Sequence, residues 1–147
     1  MAANTQPQFT LNGNVSSIAV TAGNTSSEGG GTIATDTFKA FTAGANGSFV
    51  ESVLWMPTAT TNTSMTATVG RVYVSSIASS TTTSANTYLI AEVVLPAVSA
   101  DHATIPVYSI EVPINRRIPA NWTILVQNNV APAANTQWIA TVFGGDY

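Results

Sequence analysis

The chain has 147 residues, enough for one domain, and only 7% of them are charged, where ordinary soluble domains carry about 25%. Its four Lys and Arg residues and net charge of −3 exclude a phosphate-gripping nucleic-acid surface, which needs a cluster of cations. The absence of Cys excludes disulfides and thiolate metal sites, while 45% hydrophobic residues set the chain apart from disordered polar sequences.

Residues 1–12 read as an extended arm. Gln, Asn, Thr and one Pro surround Phe9 and Leu11, too few apolar groups for a core, so such a terminus needs a neighbour to hold it. Gln6, Gln8 and Phe9 are therefore candidate protein contacts. The opening stretch has neither a basic nor an apolar block, so no signal peptide is expected. No run of about 18 apolar residues occurs, and no membrane partner is expected.

Residues 13–147 read as a single β-sandwich domain. Apolar residues recur with period two in short runs, split by Gly, Asn, Pro and Ser/Thr clusters. Strands are predicted near Val15–Thr21, Thr32–Thr42, Phe49–Met56, Thr66–Ser75, Tyr88–Leu95, Val107–Val112, Trp122–Asn128 and Gln137–Phe143. Eight short strands with these turn signals predict an all-β, antiparallel sandwich, a jelly roll or a related Greek key. The stretches NTSSEGGG (Asn24–Gly31) and ASSTTTSAN (Ala78–Asn86) read as long flexible loops.

Two strands are apolar on both faces. In the last, Trp138, Ala140 and Val142 oppose Ile139 and Phe143. In the third, Val50, Leu54 and Met56 oppose Phe49, Val53 and Trp55. A sheet with one wet face alternates more cleanly. The surplus apolar surface must be covered by the chain's own loops or by another subunit, and subunit contact is the expectation, with Trp138 a candidate interface residue.

Catalytic chemistry finds little purchase. His102 is the one histidine; it falls in a predicted loop, and no G-x-S-x-G elbow accompanies it. Neither metal-ligand spacing nor a calcium loop is present. Glu51, Glu92 and Glu111 lie in predicted strands, where each is expected to face solvent or to pair with Arg71. No enzyme activity and no cofactor are expected. Trp55, Trp122, Trp138 and Tyr73 offer a sugar-stacking platform only if they are not core, which is the simpler expectation. Arg116 and Arg117, half of the basic charge, fall between two predicted strands: either a solvated turn or a grip on a partner's carboxylates.

The stretches GSFVESVLWMP, ATVGRVYVSS, YLIAEVVLPA, IPVYSIEVPINRRIPANWTILVQ and WIATVFGGDY, spanning Gly47 to Tyr147, resemble small virion proteins of tailed bacteriophages, the head decoration or cement proteins. That resemblance implies a jelly-roll-like sandwich on the outer surface of an icosahedral capsid. It implies two partners, the major capsid protein and the chain itself, as a homo-oligomer with a trimer favoured over a dimer. Synthesis in the host cytoplasm and assembly onto the virion follow from the same likeness. The alternative from another class is a carbohydrate-binding adhesin with the same fold, tail-associated or on a surface.

Overall fold

The computed structural model describes residues 10–99 and 109–147, and within them every regular element is a β-strand. Ten strands run in chain order: β1 Asn12–Val20, β2 Gly31–Thr32, β3 Phe38–Thr42, β4 Ser48–Ala59, β5 Thr68–Ser75, β6 Thr81–Thr82, β7 Thr87–Leu95, β8 Ile110–Ile118, β9 Thr123–Asn128 and β10 Thr136–Asp146. Eight form two four-stranded antiparallel sheets, ordered β1-β10-β4-β8 and β3-β9-β5-β7. Successive long strands mostly cross from one sheet to the other, and this interleaved order is that of a jelly roll. The short β2–β6 ribbon stands apart.

Between the sheets lies one core. Val20, Val53, Trp55, Trp138, Ala140 and Val142 come from the first sheet; Phe38, Phe41, Val72, Leu95, Ile124 and Val126 come from the second. Large rings in the first sheet are matched by small partners: Gly70, where an added Cβ would lie 2.9 Å from Leu95 and 3.2 Å from Trp55, leaves room for the indole. Trp138 is 1% exposed. Its ring therefore belongs to the core, and the expected surface contact at this position is corrected by its inward direction.

Bulges decide which residues face inward. Along β4 and β10, Phe143 pairs with Ser52 and Gly144 with Val50, so Glu51 is an extra residue. That insertion resets the two-residue alternation. Val50 consequently shares the core with Val53 and Trp55, rather than lining up with Leu54 and Met56 as the sequence predicts. A second irregularity sits in β8, where Val50 pairs with Arg116 and Ser52 with Pro113, and Asn115 takes φ 49°. Asn tolerates that left-handed geometry better than most residues. The strand predicted to stop at Val112 thus continues to Ile118, through a Pro that an edge strand can accommodate.

The outer faces of the two sheets differ. Over β9 and β5, the segment between β1 and β3 folds back as a cover. Arg71 donates from its guanidinium to the Asn24 carbonyl (3.2 Å) and to Asn129 Oδ1 (3.2 Å), the Tyr73 hydroxyl to the Ser26 carbonyl (3.3 Å), and Gln127 Nε2 to the Gly30 carbonyl (3.3 Å) and to Thr37. Leu125, Tyr73 and Gln127 are fully buried beneath it. The two stretches predicted as flexible loops are folded, one against the sheet and the other joined to it through β2–β6. Over β10 and β4 no such cover exists among the described residues.

Candidate functional site

Two features of the first sheet collect the candidate residues. The first is its outer face. Cross-strand register places Val15, Phe143, Ser52 and Pro113 in one outward row, Ser17, Thr141, Leu54 and Glu111 in the next, then Ala19, Ile139 and Met56. Val15 is 61% exposed and Met56 40%; Leu54, Ile139 and Phe143 are half-buried. These apolar groups sit among Ser17, Ser52, Thr141 and Glu111 on the outer face. A shallow depression of about 290 Å³ on it is lined by Glu51, Ser52, Leu54, Glu111 and Phe143. Two of the three strand carboxylates meet there, and Glu111 accepts a 2.6 Å hydrogen bond from the Ser52 hydroxyl.

The third carboxylate, Glu92, lies on the other sheet and receives Arg71 Nε at 2.9 Å. This is the ion pair that the sequence anticipates. Tyr73, beside it, has its phenol pushed above the ordinary value by burial, while the neighbouring Arg71 pulls in the opposite direction.

The second feature is the corner where the start of β1 meets the end of β10. Asp146, at the end of β10, accepts from Asn14 Nδ2 (3.0 Å), from the Gly44 N–H (3.3 Å) and from the Ser48 hydroxyl. Its carbonyl accepts the Leu11 N–H at 2.8 Å, and the Tyr147 N–H donates to the Gly47 carbonyl at 3.2 Å. The Gly-Gly-Asp-Tyr ending is therefore a clamp joining β1, β4 and the 44–47 turn. Arg117 lies over the Tyr147 ring, 5.5 Å from its centroid, a cation–π contact.

Arg116 and Arg117 both sit within β8 rather than in a turn, and both are exposed. Neighbouring strand residues project to opposite faces, so the two guanidiniums diverge and do not form a joint fork. Only Arg117 joins the clamp. Leu11, 80% exposed, lies at this corner. Gln6, Gln8 and Phe9 lie outside the described residues, as does His102.

Sequence reasoning treated the aromatic residues as a set, and the structure divides them. Trp55, Trp138 and Tyr73 are buried, whereas Trp122 is half-buried and stacks on Tyr88, centroids 6.3 Å apart and rings 17° from parallel. Tyr88, 47% exposed, was missed because its partner lies more than thirty positions away along the chain. Two further concavities lie on the surface of the described residues. One of about 600 Å³ is lined by neutral groups including Thr21, Thr58, Thr60, Asn135 and Gln137; the other, of about 450 Å³, runs between Ile18, Ile33, Phe38 and Lys39. No three His, Cys, Asp or Glu residues converge among the described residues. Comparisons with protein-family models, with curated proteins and with solved structures give no match.

Proposed function

We propose that this chain is a non-enzymatic virion structural protein, a decoration or cement protein that binds the outer surface of an icosahedral phage head and bridges capsid subunits. The observation that carries the reading is the contrast between the two outer sheet faces: one sealed by the chain's own loop, the other apolar and open. The sparse charge supports it, because a neutral polar surface opposes close protein contact only weakly. So does the resemblance across Gly47–Tyr147.

The mechanism is multivalent cross-linking. A symmetric oligomer engages several capsid subunits at once, and avidity then exceeds single-site affinity by about 10²–10⁴. Because such a protein binds only the assembled shell, it stabilises that shell by mass action. The apolar face of the first sheet supplies the contact area.

The test mixes purified protein with undecorated shells. Saturable binding and a higher shell-disruption temperature are expected. Met56→Asp, at an exposed position of the open face, is expected to weaken binding at least tenfold while the protein's own unfolding midpoint stays put. Glycan binding without shell binding would overturn the reading in favour of the adhesin, for which the half-exposed Tyr88–Trp122 stack is the supporting observation.

A further inference from the structure

We infer that β1 is a pairing edge, and that two copies of this chain join β1 to β1 in antiparallel fashion about a two-fold axis, making one eight-stranded sheet from two four-stranded ones. An edge strand presents unpaired N–H and C=O groups and is a template for another strand unless something blunts it. The sandwich has four edges, β1, β8, β3 and β7, and three of them are blunted.

Edge β8 carries Glu111, Pro113, Arg116 and Arg117 and a bulge with Asn115 at φ 49°. Edge β3 is five residues long, holds Lys39 and changes register between Lys39 and Phe41. Edge β7 has Glu92 and a register shift opposite Val72 and Tyr73. Edge β1 has none of these devices. Its nine residues, NGNVSSIAV, include no charge and no Pro, and its register with β10 is unbroken from Asn12 to Val20. No backbone hydrogen bond to its free side is formed among the described residues.

The occupant follows from the chemistry of that edge. In an antiparallel self-pairing, residues equally spaced on either side of the axis face each other and those near the axis meet their own copies, where like charges are destabilising. In β8 a pairing centred near Arg116 and Arg117 brings cations together, and Pro113 and the bulge interrupt the ladder in other registers; β1 brings together only Asn, Gly, Val, Ser, Ile and Ala. At its far end β1 adjoins Ile33 and Ala34 across the apolar groove, so the accessible part is residues 12–17; an axis at Val15 pairs Gly13 with Ser17 and Asn14 with Ser16 inside it. Val15 is also the outermost member of the apolar row that continues through Phe143. Pairing there joins two open faces into one continuous surface. The contact is isologous and closed, a two-fold rather than the three-fold arrangement that the family resemblance implies.

The natural absence of Cys makes the test direct. Wild-type protein is expected to sediment as a dimer, and Val15→Lys as a monomer with an unchanged unfolding midpoint. Val15→Cys is expected to oxidise to a disulfide-linked dimer, and Ser84→Cys, on an exposed turn leading into β7 of the other sheet, to remain uncrosslinked. A wild type that stays monomeric up to high micromolar concentration overturns the inference, as does a dimer indifferent to Val15→Lys. If only a variant lacking residues 1–9 dimerises, the chain's own N-terminal segment occupies the edge, and the inference fails in that form. These readouts use no shells, so dimerisation without shell binding refutes the proposed function alone, and shell binding by a monomer refutes the pairing alone.

Discussion

Tyr73 shows how a single residue couples the covering loop to the sheet. Its ring is fully buried and its hydroxyl donates to the Ser26 carbonyl, and burial holds its pKa above the usual value near 10. A raised folded-state pKa means that the folded protein keeps its proton where the unfolded chain loses it. This contribution to stability is fully present below about pH 10 and is lost as pH climbs from there through the folded value. Tyr73→Phe is expected to cost about 1 kcal/mol at neutral pH, from the lost hydrogen bond, and to lose less stability than wild type between neutral and strongly alkaline pH. Urea denaturation across that range checks it: parallel profiles for the two proteins would contradict the assignment.

At the scale of elements, the segment between β1 and β3 is the part that local sequence most misrepresents. NTSSEGGG has the composition of a mobile loop, yet its carbonyls are held by Arg71, Tyr73 and Gln127, residues 47 to 97 positions away. Gly29 is the point that needs Gly. Its φ of +81° is strained for other residues, and an added Cβ would lie 2.9 Å from the Thr87 carbonyl oxygen and 3.0 Å from its methyl. Gly29→Ala is expected to destabilise by roughly 1–3 kcal/mol, read by chemical denaturation, with faster amide exchange in the covering segment than in β10. The Glu51 and Asn115 bulges act on the same scale. Each shifts alternation by one residue, which is why Val50 faces inward and why β8 extends past Pro113.

For the whole molecule, closure depends on contacts between the first strand and the last. Asp146 bonds Asn14 across 132 positions and Gly44 across 102, tying the first strand, a turn of the middle and the last strand at one corner. Asp146→Asn keeps the shape but sets an amide N–H₂ against donors. It is expected to cost about 1–3 kcal/mol and to raise amide exchange at Leu11 and Gly44 while Trp138 stays protected from quenchers. Stability falling by less than a few tenths of a kcal/mol would show the clamp to be ornamental.

The sequence by itself determined the class: period-two apolar runs can bury their surface only as strands, and eight of them with such short connections close as a sandwich. It also led to the expectation that the strand glutamates face solvent or pair with Arg71, and the structure selects Glu92 among the three. Tertiary structure alone decided which apolar face is covered. Ile139 and Leu125 look alike as strand residues, but one lies on an open sheet and the other beneath a folded-back loop. It likewise decided that Trp138 is core, that Arg116 and Arg117 diverge, and that β1 is an edge. These outcomes depend on bulges and on strand order, and both arise from contacts between residues too far apart in the chain for any local pattern to encode.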